Sequence, residues 1–237
     1  MVGLLPMRAR GAVTRRRDKV LAGPVDLDLR AGGITVAIGP NGSGKTSLLR
    51  MLHGIARLGG GTIDWTCNLR QARAGQAFVF QRPVMLRRSV LANVAFPLRL
   101  SGMPRARARS RAREWLGRVG LANAADRPAT QLSGGEGQKL ALARALAGNP
   151  EVLFLDEPSA SLDGRATREI EAILTDARDA GTKLVMSTHD MGQARRLASE
   201  VWFLRGGLLH ESAPADAFFA GPATAEARAF LNGDIVE

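Results

Sequence analysis

The sequence predicts an α/β fold, on three observations. Two short apolar runs, Gly33 to Ile38 (GITVAI) and Val152 to Leu155 (VLFL), have the length and the branched or bulky content of buried strands. Helical stretches alternate with such runs along the chain, as a parallel sheet requires. A glycine-rich loop, Gly39 to Gly44, joins the first run to a helix expected over Thr46 to His53. The chain has 237 residues, enough for one domain with a sizeable core. Residues 1–237 are expected to form a single domain.

The remaining elements follow in order. Val25, Leu27 and Leu29 alternate with Asp26, Asp28 and Arg30, the pattern of a half-buried strand. Gln76 to Phe80 (QAFVF) is a further strand. Helices are expected over Ser89 to Leu100, Pro104 to Leu121 and Glu136 to Ala147. After the Val152 strand come a helix within Asp163 to Ala180, a strand over Lys183 to Met186 and a helix from Met191. Val201 to Leu204 and Leu208 to Glu211 flank Arg205-Gly206-Gly207 and predict a hairpin, because two glycines supply the positive φ of its turn. A helical block over about 89–147 thus interrupts the α/β core, and a short tail, about 212–237, follows it.

Composition excludes several classes. Apolar residues make up 45% and charged residues 23%, an ordinary globular balance that argues against disorder. No stretch approaches the roughly 20 uncharged apolar residues of a spanning helix. Met1 to Lys19 does not read as a signal peptide, since Arg8, Arg10 and Arg15 to Arg17 follow the apolar start instead of preceding it. The lone Cys67 forms no disulfide within the chain and no cysteine metal site, and a cytoplasmic protein is expected. Net charge is +11, and with only four lysines (Lys19, Lys45, Lys139, Lys183) among 33 basic residues, 29 are arginine. Such an excess suits an anionic neighbour: nucleotide, nucleic acid or membrane leaflet. Coding bias would produce it equally well.

The residues Gly39-Pro40-Asn41-Gly42-Ser43-Gly44-Lys45-Thr46 fit the phosphate-loop pattern G-x-x-x-x-G-K-[ST] in full, between a predicted strand and a predicted helix. Glycines let successive backbone N–H groups turn inward onto phosphate oxygens, and the helix N-terminus adds partial positive charge. Lys45 supplies a point charge for the β- and γ-phosphates, and the Thr46 hydroxyl is placed to ligate Mg²⁺. Ser47 completes the expected ATP-binding set.

The strand Val152 to Leu155 ends in Asp156 and Glu157. Asp156 would sit beside the phosphate loop and hold Mg²⁺. Glu157 points differently and can polarise an attacking water. Two carboxylates with two roles fit hydrolysis of a nucleoside triphosphate.

Leu132-Ser133-Gly134-Gly135-Glu136 opens a helix continuing Gly137-Gln138-Lys139-Leu140-Ala141-Leu142-Ala143-Arg144-Ala145-Leu146. Here the chain resembles the ATP-binding cassette (ABC) ATPases, from about Val20 to Glu211, with Glu136 standing where their LSGGQ signature usually has Gln. The resemblance implies a P-loop NTPase core of ABC type with an antiparallel β subdomain and an inserted helical subdomain. It implies that Ser133, Gly134 and Gly135, with Asp163 of the D-loop-like Ser159 to Asp163, contact ATP held by a second subunit. Gln81 matches the family's Q-loop glutamine, reaching Mg²⁺ and the attacking water. His189, in Ser187-Thr188-His189-Asp190, matches the switch histidine that senses the γ-phosphate.

One family feature is absent. No Phe, Trp or Tyr precedes Gly39, whereas the family usually stacks adenine on an upstream aromatic residue; the first aromatic here is Trp65. The equivalent region is Ala12 to Lys19, where Arg15 or Arg16 could stack its planar guanidinium instead. Weaker discrimination of ATP from GTP is expected.

The resemblance is to the separate ATP-binding subunits of bacterial importers, which dimerise around ATP at the cytoplasmic face of the inner membrane. Transmembrane permease subunits and an extracytoplasmic binding protein are the implied partners, with no direct nucleic-acid partner. The segment Gln81 to Arg99 is similar to that of importers of tungstate, molybdate or phosphate. Arg82 to Arg88 (RPVMLRR) is expected to form the permease docking surface, with Val84, Met85 and Leu86 as an exposed apolar patch. An exporter or lipid-system subunit, or a soluble ABC ATPase in iron–sulfur assembly or DNA repair, is the alternative. Repair types would carry a long heptad insertion and translation-factor types two cassettes, and this chain has neither.

Overall fold

A computed structural model describes residues 3–233. Its strands are β1 (Met7–Arg16), β2 (Lys19–Leu29), β3 (Ile34–Ile38), β4 (Leu58–Asp64), β5 (Gln76–Val79), β6 (Val152–Asp156), β7 (Lys183–Ser187), β8 (Glu200–Arg205) and β9 (Leu208–Pro214). Its helices are α1 (Lys45–His53), α2 (Leu69–Ala74), α3 (Val90–Leu100), α4 (Arg105–Arg118), α5 (Gly134–Leu146), α6 (Gly164–Asp179), α7 (Met191–Leu197), α8 (Ala215–Ala220) and α9 (Ala225–Asn232). Among the described residues, none of these helices is long and apolar enough to cross a membrane.

The strands form two sheets. One has six strands in the order β5-β6-β7-β3-β8-β9, parallel from β5 to β8 with β9 antiparallel at the edge. The other has three antiparallel strands in the order β2-β1-β4. Every residue of β3, β6 and β7 is buried, as expected of strands covered on both faces. Alternate side chains serve two cores. Ala37, Phe154, Val185 and Trp202 face α1, which packs its Leu48, Leu49 and Leu52 between the two sheets. Val36, Leu153, Leu155, Met186 and Phe203 face the opposite core, built with α3, α5 and α6.

Parallel pairing sets the site. The C-terminal ends of β5, β6, β7 and β3 lie side by side, so residues following each strand converge although they are far apart in sequence.

The predicted elements recur with boundaries shifted by a few residues. The last helix of the middle block starts at Gly134 instead of Glu136, because Ser133 caps it. Four parts were not foreseen. β1 lies in the arginine-rich start, where irregular register around Gly11 (φ 53°) breaks the alternation a strand would show. β4 carries three glycines and is exposed along most of its length; it is a strand because it pairs with β1. The six-residue α2 rests on its Asn68 cap. The tail contains the end of β9 and helices α8 and α9; its residues 234–237 lie outside the described residues.

Candidate active site

The phosphate loop leaves β3 through Gly39, whose φ of 143° suits glycine. A Cβ there would lie 2.0 Å from the Leu204 carbonyl oxygen, so no other residue fits. The Ser43 hydroxyl is buried with no hydrogen-bond partner among the described residues, a donor waiting for an anion. Gly44, at φ 98°, precedes the first residue of α1. Lys45 is 6% exposed, and its Nζ donates to the carbonyls of Gly39 (2.8 Å) and Pro40 (2.9 Å). Burial pushes its pKa down, against the opposing pull of Glu157 and Asp156. A phosphate arriving here would exchange two carbonyl acceptors for charged oxygens, which make stronger bonds with an ammonium.

The loop forms one wall of a cleft of about 440 Å³, lined by Asn41 to Ser47, Lys19 to Leu21, Gly206, Gly207 and Glu157. The residues flanking the loop on the antiparallel sheet are therefore Lys19, Val20 and Leu21. Neither Arg15 nor Arg16, expected to stack on the base, lines this cleft. The Arg15 stem lies against β4, its Cγ 3.3 Å from where a Cβ of Gly59 would be. The register pairs Arg15 with Val20 across the ribbon, next to the turn at Arg17 and Asp18.

Thr46 Oγ1 donates to Asp156 Oδ1 at 2.7 Å, and Ser187 Oγ donates to the same oxygen at 3.0 Å. Asp156 is 2% exposed. Its other oxygen lies 3.7 Å from an Arg50 guanidinium nitrogen, and that guanidinium rests 5.7 Å from the centre of the Phe80 ring. Arg50 and Ser187 are contacts that motif reading missed, since neither belongs to the strings GxxxxGKT or DE. A hydroxyl and a carboxylate side by side are hard oxygen donors, a set that suits Mg²⁺ completed by phosphate oxygens and water. Among the described residues there is no cluster of three or more His, Cys, Asp or Glu side chains for a metal, and such a shared site needs none.

Glu157 has φ 46°, uncommon for a residue with a side chain. Its amide is pinned by the Ser187 carbonyl (3.2 Å) and hydroxyl (3.0 Å), which turns the side chain away from Asp156's partners. Its Oε2 accepts from Gln81 Nε2 at 3.0 Å and meets His189 Nδ1 at 3.2 Å. Two residues that follow β5 and β7 thus converge on one carboxylate oxygen at the end of β6. Gln81 is held on Glu157, with no hydrogen bond to Thr46 or Asp156.

The residues expected to act on a second subunit's nucleotide lie outside the cleft lining. Ser133 Oγ accepts from the Glu136 amide at 3.3 Å, and Glu136 Oε2 accepts from the Ser133 amide at 2.9 Å, closing a capping box at the start of α5. That backbone bond, above all, holds the Glu136 carboxyl below the usual range. Gly134 and Gly135 form the first turn of α5. Asp163 caps α6, its Oδ1 accepting from the Ala166 amide at 2.8 Å.

The segment Arg82 to Arg88 differs from expectation. Val84 is 72% exposed, but Met85 packs against the core beside Gly137 and Leu86 is half-buried. Arg144 donates to the Val84 carbonyl at 2.8 Å, and the buried Asn93 binds both the amide (3.0 Å) and the carbonyl (3.2 Å) of Leu86. These bonds fix the backbone and turn Met85 inward. The exposed apolar patch shrinks to Val84 with the flanking arginines.

Comparison with known proteins agrees with this geometry. A family model described as ABC transporter matches residues 22–160. The phosphate import ATP-binding protein PstB 2 of Natronomonas pharaonis is 39% identical over 234 residues, which cover 90% of this chain and 81% of that protein. The methionine import ATP-binding protein MetN of Cereibacter sphaeroides is 36% identical over 218 residues, 87% of this chain and 62% of that protein. An ATP-binding cassette solved as a dimer in a post-hydrolysis state, bound to ADP and phosphate, superposes with a TM-score of 0.78 at 25% identity, over 88% of this chain and 98% of that one.

Proposed function

The chain belongs to the ABC transporter family and is an ATPase, and on that premise we propose that it is the peripheral, energy-supplying subunit of an importer. The observation that carries the proposal is the convergence of Gln81 and His189 on Glu157 next to the Thr46–Asp156 pair. Binding and water activation are adjacent there, yet distinct. The six-stranded core, the helices over 90–146 and the tail are read as one ABC ATPase domain.

The roles follow from the geometry. Backbone amides of Asn41 to Ser47 and the Lys45 ammonium take the β- and γ-phosphates. Thr46 and Asp156 would hold Mg²⁺, with Gln81 joining them on closure; the ion would neutralise phosphate charge. Glu157 accepts a proton from the attacking water. His189, positioned by Glu157, offers its other ring nitrogen to the γ-phosphate. Ser133, Gly134, Gly135 and Asp163 reach the nucleotide of a second copy, so the active unit is a homodimer around ATP, like the dimeric cassette.

The permease and a binding protein are the proposed partners, the first meeting Val84 and its neighbouring arginines at the cytoplasmic face of the membrane. An inorganic oxyanion is the proposed cargo. The more similar of the two relatives imports phosphate, and residues 81–99 support the same class; the methionine relative, at 36% identity, is the competing cargo. Purification of the chain with its permease, then ATPase activity in vesicles loaded with the binding protein and phosphate, tungstate or methionine, tests both steps. A chain that binds no membrane protein would favour the soluble alternative.

A further inference from the structure

Behind Glu157 lies a buried polar network that phosphate chemistry does not touch. Gln193, on α7, is 0% exposed. Its Oε1 accepts from Ser159 Oγ at 3.0 Å, and its Nε2 donates to Glu171 Oε1 at 3.3 Å. Glu171, on α6, is itself clamped by Arg196 of α7 through two bonds of 3.0 and 2.7 Å.

The direction of each bond is forced. Glu171, paired with a guanidinium, can only accept, so the amide nitrogen of Gln193 must face it. The amide oxygen then faces Ser159, whose hydroxyl must donate. Both ends of a buried amide are satisfied, and loss of either leaves a buried polar atom without a partner.

The three elements joined here all carry site residues. Ser159 is two residues after Glu157, in a segment where Glu157 (φ 46°) and Ser161 (φ 64°) both adopt the left-handed conformation. Gln193 is four residues after His189, and its amide is capped by Asp190 at 2.9 Å. Glu171 lies two turns along the helix that Asp163 caps.

We propose that Gln193 is a positioning residue that locks the segment after Glu157 to the helix after His189, so that the water-activating carboxylate, the switch histidine and the Asp163 end of α6 move as one unit. The proposal rests on the ATPase reading of the site. Acting through Glu157 and His189, Gln193 touches neither nucleotide nor water, and the phosphate loop stands outside its network. Its loss therefore falls on turnover and spares ATP binding.

The test compares Ser159→Ala, Gln193→Leu and the double variant in the full chain, by kcat, KM for ATP and thermal unfolding. Each single change is expected to lower kcat about tenfold with KM within about twofold. The double variant is expected to be no slower than the worse single one, as for two members of one unit. Ser159→Thr, which keeps the hydroxyl, is expected to restore the rate. Wild-type kcat in folded Ser159→Ala, or losses that multiply in the double variant, overturns the proposal. If Gln193→Leu does not fold, Ser159→Ala and Ser159→Thr decide alone: loss with rescue supports the lock, and no loss or no rescue overturns it. Lys45→Ala tests the ATPase reading separately, since full activity in that variant sinks the reading whatever Ser159 does.

Discussion

Ser133 and Glu136 cap each other's backbone amides, at 3.3 and 2.9 Å, and this reciprocity explains how a carboxylate serves where the family usually has Gln. Either side chain accepts from the Ser133 amide; only Glu brings negative charge to the helix start. In the proposed dimer that charge faces a γ-phosphate. Glu136→Gln is expected to keep α5 capped and to strengthen ATP-dependent dimerisation, measured by size-exclusion chromatography with Mg-ATP. Glu136→Ala should destabilise the helix start by ~1 kcal/mol, typical of a lost cap. Dimerisation by Glu136→Gln no stronger than wild type would mean that the carboxylate stays clear of the nucleotide.

Lys45→Ala removes the buried ammonium that leans on the Gly39 and Pro40 carbonyls. ATP affinity or turnover should fall by at least about 100-fold, with little loss of stability because the removed charge was desolvated. Isothermal titration with a slowly hydrolysed ATP analogue separates binding from turnover.

Glu157→Gln preserves the shape that Gln81 and His189 contact but removes the acceptor strength needed to polarise water. Hydrolysis is expected to fall by roughly 100-fold or more while ATP still binds. The ATP-bound dimer should then accumulate. A variant that remains monomeric with Mg-ATP at micromolar concentration would contradict the dimer mechanism.

Val84→Asp places a charge on a side chain that is 72% exposed. Isolated ATPase activity and thermal stability should stay within experimental scatter, whereas pull-down by the permease should be lost. Met85→Asp, by contrast, would place a carboxylate on a half-buried side chain packed against the core and should lower thermal stability. Equal pull-down by Val84→Asp and wild type would move the docking surface elsewhere.

His53 gives a pH test. It packs edge-on against Phe78 (5.5 Å) and Phe154 (5.7 Å), its Nδ1 has no hydrogen-bond partner among the described residues, and burial pushes its pKa down to about 4. The unfolded chain takes up this proton near pH 6.5, but the folded chain resists it until about pH 4. Between those values the unfolded state binds more protons, so stability falls as pH falls, by on the order of 3 kcal/mol once both states are protonated. His53→Met should flatten the decline of melting temperature between pH 6.5 and 4. An unchanged slope would mean that another group carries the acid response.

The legible part of this protein was its local chemistry. Gly39 to Thr46 and Val152 to Glu157 are legible as a loop and a strand end because consecutive residues shape them, whereas the partners of Asp156 and Glu157 (Thr46, Gln81, Ser187 and His189) come from distant segments. The signature at Ser133 was legible for the same reason. What stayed hidden depends on partners distant in sequence. β1 is concealed by the irregular register around Gly11, and β4 by glycines that are extended because they pair with β1, where Val13 lies opposite Gly60. Gln193 reads as an ordinary helix glutamine until α6 is laid beside it. Met85 reads as exposed apolar surface because Gly137, which it packs beside, lies on the distant helix α5.

The hairpin tip between β8 and β9 touches the phosphate loop directly. The Gly207 amide donates to the Ser43 carbonyl at 3.0 Å, and its own carbonyl accepts from the Gly23 amide at 2.7 Å. The same hairpin carries Phe203, whose ring sits 5.4 Å from Phe230 of α9 and 6.5 Å from Phe218 of α8. The two terminal helices therefore act as a buttress, and through the hairpin they preorganise the loop's amides before any nucleotide arrives. In hydrogen-exchange measurements, a chain ended after Pro214 should leave the β6 and β7 amides as slow as before and loosen those around Ser43. Its weaker grip on ATP would then reflect the entropy of ordering the loop at the moment of binding, with every phosphate contact still present.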